Sequence, residues 1–251
     1  MRKYLMLTTA LAALIAVSLV GVATGANTPV VVQQGNLKFT FNGGFSPSTL
    51  PKKKMAPIAL TASGKIETLD GTHPPALKEA IIETDKNGAI NTKGIPVCKS
   101  GQLQARDTKA AEKACGKSII GTGQTTVEVQ FPEQRPIDVN SKLLVINGGT
   151  SGGKTTLYIH AYFSAPVTGA IVTTVKIKKV HNGRYGLKSV ATIPKIANGS
   201  GSVKSFNLTI NKPKGVLTAK CPDGKLQAHA TSIFSDGTKA SAGIVRTCKG
   251  K

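Results

Sequence analysis

The sequence predicts an all-β protein, an antiparallel β-sandwich with a barrel as the alternative, that carries one short helix near residues 106–115. The first observation is that apolar and polar residues alternate with period two, which is typical of strands with one buried face. Five such segments begin at Leu37, Val127, Leu157, Ile171 and Phe206. The second observation is that turn-forming residue pairs separate the alternating segments. Many strands joined by hairpins favour an antiparallel sheet.

Three residue pairs predict hairpin turns. They are Asn87-Gly88, Asn182-Gly183 and Asp236-Gly237, and these residue types tolerate the positive φ that two-residue turns require. The clearest hairpin has a long alternating segment on each side of Asn182-Gly183. A second hairpin surrounds Asp236-Gly237 and brings Cys221 and Cys248 to its open end.

One segment, Ala105 to Gly116, differs from the rest because it is rich in Ala and Lys. Asp107 can cap the start of a helix there, and Gly116 can end it. We therefore predict a short helix within this segment.

The four cysteines predict two disulfides. An even cysteine count in an exported chain indicates disulfides, whereas a zinc site would require close Cys or Cys/His pairs and neither C-x-x-C nor H-x-x-x-H occurs. Three pairings are possible. The local one, Cys98 with Cys115 and Cys221 with Cys248, agrees with the Asp236-Gly237 hairpin and would hold the helix against the sheet.

The N-terminal segment predicts a signal peptide over residues 1–26. Arg2 and Lys3 precede an uncharged apolar run, and small residues end at Ala26. The run also approaches the length of a membrane span, so an uncleaved anchor is the alternative. We predict a flexible tether over 27–35 and a single β-rich domain over 36–251. The protein would be secreted or associated with the cell envelope, without a membrane span after cleavage.

A nucleotide-binding pattern occurs in the middle of the chain. Gly148, Gly153, Lys154 and Thr155 satisfy G-x-x-x-x-G-K-[ST]. A P-loop needs a helix directly after the motif, but the residues that follow alternate as a strand. We interpret the match as false and predict a glycine-rich loop between strands 143–146 and 156–163, without nucleotide.

No catalytic or cofactor constellation stands out in the sequence. There is no G-x-S-x-G motif, and we predict no cofactor and no metal. The densest acidic region contains Glu67 and Asp70 close to His73, which leaves a secreted hydrolase of polysaccharides or other envelope polymers as an alternative. A strand face with Tyr158, His160 and Tyr162 is the best candidate binding strip, or a second place for a hydrolase site; packing of that face under a loop is the simpler interpretation.

The charge of the chain indicates what it could bind. The formal net charge is +21, and such a field attracts polyanions. Basic residues are densest at 52–54 and at 176–179. A surface that is basic only for solubility is the simpler interpretation, and we see no signal for specific nucleic-acid binding.

Several segments together carry a resemblance to a known family. They are LDGTHPPALKEAIIETDKNGAINTKGIPVC, GQLQARDTKAAEKACGKSIIGTG, FPEQRP, NGRYGLKSVATIPKIANGSGS and the FSDGT and VRTCK segments near the C-terminus. With these segments the sequence resembles a family of uncharacterised secreted actinobacterial proteins. The unit from Cys98 to Gly123 is the most specific part. The resemblance implies a secreted, disulfide-bearing β protein and implies no activity.

These observations lead to one expectation about function. We expect a non-catalytic exported protein that binds an anionic cell-envelope polymer or a protein partner. The alternatives are the secreted hydrolase and a purely structural module.

Overall fold

The protein is described from a computed structural model, which describes residues 21–24 and 28–251. The predicted signal peptide therefore lies mostly outside the described residues. The residues that the structure describes form seventeen strands: β1 (Gly21–Thr24), β2 (Val30–Gln34), β3 (Leu37–Ser46), β4 (Thr49–Leu50), β5 (Ala56–Thr68), β6 (Leu77–Asp85), β7 (Gly88–Ile90), β8 (Ile119–Val129), β9 (Ile137–Ser151), β10 (Lys154–Phe163), β11 (Gly169–Asn182), β12 (Tyr185–Thr192), β13 (Gly201–Ile210), β14 (Leu217–Ala219), β15 (Lys225–Phe234), β16 (Lys239–Thr247) and β17 (Lys249–Gly250). Within 28–251 there is one α-helix, α1, which spans Thr108–Cys115, and short 3-10 turns occupy Ser100–Gln102, Gly116–Ser118 and Ala197–Gly199.

Most strands belong to one large antiparallel sheet, nearly closed like a barrel. Its order is β2-β3-β5-β13-β8-β9-β10-β11-β12-β6-β15-β16-β1, with β14 and β7 added beside the N-terminal half of β5. Only β1, which lies parallel to β16, departs from the antiparallel pattern of this sheet. The all-β class with one short helix is confirmed, and the architecture takes the barrel-like form.

The two ends of the sheet meet through a buried arginine. Arg246 of β16 is 6% exposed, and its Nε donates to the carbonyl of Gly43 in β3 at 2.6 Å. Its Nη2 donates to the carbonyl of Thr28 at 3.0 Å, just before β2. The two ends of the strand order therefore lie side by side.

The alternating segments bury the residues that the sequence assigned to the core. Leu37, Phe39 and Phe41 are each at most 4% exposed and pack with Val30 and Val32 of β2. This last contact corrects the predicted tether over 27–35: residues 30–34 form a strand that pairs with β3, because its two inward valines complete the core beside the phenylalanines.

Two of the predicted turns differ in detail. The chain does turn after β6, but β7 pairs with β14 rather than folding back on β6. Asn87 stays buried there, with its backbone and side-chain amides donating to Asp85 Oδ1 at 2.9 Å. In the β11–β12 hairpin Asn182 is still a strand residue opposite Tyr185, so the loop is Gly183-Arg184, one residue later than predicted.

The helix and both disulfides form as predicted. Asp107 caps α1 by accepting from the amide of Ala110 at 2.7 Å, and Gly116 ends it. The bonds join Cys98 to Cys115 and Cys221 to Cys248, with Cα–Cα distances of 5.6 and 6.1 Å. The Cys98–Cys115 unit covers the outer face of β9, where Leu144 and Ile146 are fully buried.

Candidate functional site

Three lysines form a row across adjacent strands on the outer face of the sheet. Lys178 of β11 lies opposite Lys154 of β10 and opposite Lys188 of β12. Residues directly opposite one another share a face, with Cβ atoms about 4.5–5.5 Å apart. We call Lys154, Lys178 and Lys188 the lysine row.

The lysine row faces outward. On β11 the exposed Lys176 and Lys178 alternate with Val175 and Ile177, which are each 8% exposed and belong to the core. Lys154 is also exposed, and Lys188 is half-buried. The basic segment 176–179 therefore contributes Lys176 and Lys178 to the outer face of a strand.

Four basic residues on or beside the sheet have acidic partners, whereas no lysine of the row is in an ion pair. The paired cations are Lys65 with Glu67, Lys142 with Glu112, Lys204 with Glu128 and Asp138, and Arg184 with Asp85 and Asp223. Over residues 28–251 no carboxylate lies within 4.0 Å of a lysine of the row. Glu83 of β6 is opposite Lys188 in register but accepts from Asn182 Nδ2 at 3.2 Å. Like charges directly opposite destabilise a sheet, so an anion bound here would relieve repulsion.

A second group of lysines lies near the C-terminal strand. The exposed loop 52–54 is joined to it, because the Lys52 amide donates to the Lys251 carbonyl at 3.1 Å. The Lys249 amide donates to the Ser48 carbonyl at 2.9 Å, so Lys249 and Lys251 lie beside the three lysines of the loop. The fold thus brings together basic residues that are about 200 positions apart.

The nucleotide-like motif forms a hairpin. β9 continues to Ser151 and β10 starts at Lys154, so Gly152-Gly153 is a two-residue turn, with φ of +55° and +72°. The predicted loop between strands 143–146 and 156–163 is therefore wrong in length, because two consecutive glycines at positive φ let both strands run through the motif. The return strand is present, and Lys154 and Thr155 begin a strand where a P-loop would begin a helix.

The strip of Tyr158, His160 and Tyr162 is largely covered. Tyr158 packs against the Cys98–Cys115 unit, and His160 is 0% exposed. Its Nε2 lies 3.0 Å from the carbonyl of Arg106, to which it can donate. This strand face therefore packs under a covering segment, which was the simpler interpretation of the sequence.

Burial shifts the pKa of His160. Desolvation lowers the pKa of the imidazole below its ordinary value, and the Arg106 carbonyl opposes this only in part. Nδ1 is buried, without a hydrogen-bond partner among the described residues. The ring is therefore held neutral.

A second histidine belongs to a chain of polar groups. The Nε2 of His73 lies 3.0 Å from Ser202 Oγ, and its Nδ1 lies 2.8 Å from Glu128 Oε1. Glu128 also contacts Lys204 Nζ at 3.0 Å. Serine, histidine and carboxylate follow one another here in the order of a hydrolase triad, which is recognised by geometry rather than by sequence position.

The hydrogen bonds of Ser202 argue against a nucleophile. Its Oγ lies 2.6 Å from the carbonyl oxygen of Pro74, and only the hydroxyl hydrogen can join two oxygens at that distance. His73 Nε2 must then donate to Ser202 instead of accepting its proton, as a general base would. Ser202 is also 1% exposed. The network ties the segment after β5 to β8 and β13.

The acidic region does not assemble a site with His73. Glu67 pairs with Lys65 at 2.7 Å, and this hydrogen bond lowers the pKa of Glu67. The Thr72 hydroxyl donates to Asp70 Oδ1 at 2.6 Å, while the backbone amide of Asp70 donates to Asn36 Oδ1 at 3.3 Å. The side chains of Thr72 and, to a smaller extent, Asn36 lower the pKa of Asp70 to about 2. Within the described residues no group of three or more His, Cys, Asp or Glu side chains could hold a metal ion.

Sequence reasoning missed two features of the site. Ser202 and Glu128 are separated from His73 by 129 and 55 residues, and no local pattern links them. The Lys178–Lys188 pair was missed as well, because a two-residue loop at 182–183 would place Lys178 opposite Leu187. The observed loop is one residue later, and a register shift between Lys179 and Asn182 brings Lys188 opposite Lys178.

The comparisons identify no relative, since no protein-family model, curated protein or solved structure matches the chain. The two disulfides indicate an extracellular or otherwise oxidising environment. Among the residues that the structure describes, there is no helix with the length and apolar character needed to cross a membrane.

Proposed function

We propose that the protein is a non-catalytic, exported binding protein whose outer surface engages an anionic polymer of the cell envelope. The observation that carries the proposal is the lysine row, where three cations face one another across adjacent strands without a carboxylate in ion-pair distance. The disulfides support an oxidising environment, and export agrees with the signal peptide predicted from the sequence.

The geometry of the row favours a polymer over a single small anion. Neighbouring strands are about 4.7–4.9 Å apart, so the row extends across three strands at a spacing that successive charged groups of one polymer could follow. A polymer that contacts several lysines releases several counterions at once, which strengthens binding and makes it depend steeply on salt. The lysines at 52–54, 249 and 251 offer a second basic contact.

The test compares two variants of equal net charge. In the first, Lys154, Lys178 and Lys188 are changed to Gln; in the control, Lys93, Lys195 and Lys239 are changed to Gln. The three control lysines are exposed and lie apart from one another. Immobilised polyphosphate serves as a defined polyanionic probe. The Kd of the full chain for this probe is measured from low to high salt.

The row variant should lose about tenfold or more in affinity at low salt, and the slope of log Kd against log salt should fall by roughly two to three. The control variant should remain close to the wild type. Equal losses of affinity in both variants would mean that only the net charge determines binding. If the wild type does not bind polyphosphate at low ionic strength, the proposal that the protein binds an anionic polymer is rejected.

A further inference from the structure

A cavity of about 260 Å³ lies inside the nearly closed sheet. Residues from β3, β5–β7 and β9–β16 line it, and most of them are apolar. They occupy alternate positions, such as Ala80, Ile82 and Thr84 of β6, because every second side chain of a strand points to the same face. Interiors normally leave few voids larger than a water molecule, so a space of this size inside a sheet is unusual.

Pairs of small residues keep the cavity open. Ala80 of β6 lies directly opposite Ala191 of β12, and Ala62 of β5 lies opposite Gly43 of β3. All four residues line the cavity. At these pairs neither strand contributes a large side chain to the interior. Elsewhere large side chains do fill the interior, for example Phe234, which is 1% exposed.

The acidic side chain of the wall, Asp85, is satisfied by the protein. It is 3% exposed. One carboxylate oxygen accepts from Arg184 Nε at 2.6 Å and from the backbone amide of Gln227 at 3.1 Å. The other accepts from the backbone and side-chain amides of Asn87, both at 2.9 Å. The carboxylate is therefore paired with a cation and hydrogen-bonded at both oxygens.

The basic side chain of the wall, Arg246, is also committed to the protein. Beside its bonds to the carbonyls of Gly43 and Thr28, its Nη2 donates to Asn42 Oδ1 at 2.6 Å. Its Nη1 donates to the Val245 carbonyl at 3.2 Å. A charged group of a ligand would have to compete with these bonds, and a charge without a partner in an apolar space is costly. The wall therefore favours an uncharged ligand.

Two neutral groups of the wall can serve a ligand. They are the hydroxyls of Thr84 on β6 and Ser189 on β12, and neither has a hydrogen-bond partner among residues 28–251. Ser189 lies opposite Ile82, two residues from Thr84. Such diagonal neighbours share a face about 7–8 Å apart, so one small molecule can reach either hydroxyl.

We propose that the cavity binds one uncharged, mainly hydrocarbon molecule of about ten carbon atoms, with a neutral hydrogen-bonding group such as a hydroxyl placed at Thr84 and Ser189. The size follows from the volume. A cavity of about 150 Å³ holds one benzene, and about 260 Å³ is larger in the ratio of ten carbons to six. An apolar wall with a few polar groups that orient the ligand is typical of small-molecule sites. The inference does not depend on polyanion binding at the lysine row.

The test uses 2-naphthol as the probe, an uncharged bicyclic molecule with one hydroxyl, and equilibrium dialysis gives its Kd. 2-Naphthoate has the same rings with a carboxylate, and naphthalene has no polar group. Ala80→Leu and Ala191→Leu add bulk inside the cavity. Ala59→Leu is the matched control, because Ala59 is also half-buried and does not line the cavity. Urea unfolding of each variant shows that it is folded.

The wild type should bind 2-naphthol saturably, with one molecule per chain, and about tenfold or more tightly than 2-naphthoate at neutral pH, because the carboxylate would be buried without a partner. Ala80→Leu and Ala191→Leu should each weaken binding of 2-naphthol by about tenfold or more, because the added methyl groups overfill the cavity. Ala59→Leu and the row variant with three glutamines should bind it like the wild type.

The position of the polar group is tested with a second variant, Thr84→Val combined with Ser189→Ala. This variant should bind 2-naphthol about fivefold more weakly and naphthalene unchanged, because only the naphthol loses a hydrogen bond. Lack of saturable binding of 2-naphthol, 2-naphthoate binding as tightly as 2-naphthol, or equal losses for 2-naphthol and naphthalene in this variant would overturn the proposal. Equal effects of Ala59→Leu and Ala80→Leu would overturn it as well.

Discussion

The polar network around Ser202 depends on the direction of one hydroxyl. Its hydrogen is committed to the Pro74 carbonyl at 2.6 Å, so the histidine beside it serves as a donor. A buried acceptor that loses such a donor is left unsatisfied, and the cost of that loss is larger than the net value of an average hydrogen bond.

We expect Ser202→Ala to lower the free energy of unfolding by about 1–3 kcal/mol, because it leaves Pro74 and His73 without their partner. Ser200→Ala, two residues away and without such bonds, should change it by less than about 0.5 kcal/mol. Urea unfolding measures both. A fluorophosphonate probe should not label the protein; labelling that disappears in Ser202→Ala would instead establish a nucleophile.

His160 makes stability depend on pH. Burial lowers the pKa of the folded imidazole, whereas in the unfolded chain it stays near the ordinary value of about 6.5. As pH falls below about 6.5, the unfolded chain therefore takes up a proton that the folded chain refuses. The contribution is fully present above that value and is lost as the solution becomes more acidic.

We expect the free energy of unfolding to fall between pH 7.5 and 5.5, and to fall less in His160→Gln than in the wild type. His181→Gln is the control, since His181 is exposed at the end of β11. Denaturant titrations at both pH values give the comparison. An unchanged pH dependence in His160→Gln would show that other groups account for it.

At the scale of the element, the β9–β10 hairpin depends on backbone conformation. Both turn residues adopt positive φ, where a side chain with a branched Cβ is strained. We expect Gly152→Val to lower the free energy of unfolding by about 1–2 kcal/mol.

Gly152→Asn at the same position should stay within about 0.5 kcal/mol of the wild type, because asparagine tolerates this region. Thermal unfolding of the two variants isolates the effect of φ. Equal destabilisation by Gly152→Val and Gly152→Asn would mean that the bulk of any side chain at this position, and not backbone strain, is responsible.

Local elements were predictable because their signals are local. The period-two segments, the capped helix and the Cys221–Cys248 pair at the open end of a hairpin all depend on residues near one another in sequence. β2 and β7 were not predicted as they form. Their partners are chosen by tertiary packing: β2 by its valines against the phenylalanines of β3, and β7 by the distant strand β14.

The candidate site was only partly predictable, since it depends on the whole molecule. Alternation on β11 indicated which lysines face water, but the third member of the row comes from a hairpin whose loop was predicted too long. A sequence pattern assigns residues to the inner face of a sheet, but it does not say which side chains contact one another across the interior.

The lysine row also determines how the protein responds to its solvent. A surface held together by ion pairs weakens as salt is added, because the attractions are screened. Here positive charges oppose one another across neighbouring strands, on a chain whose net charge is +21, so screening removes repulsion instead. Added salt should therefore screen the repulsion across the lysine row in the free protein while it weakens the proposed complex with a polymer.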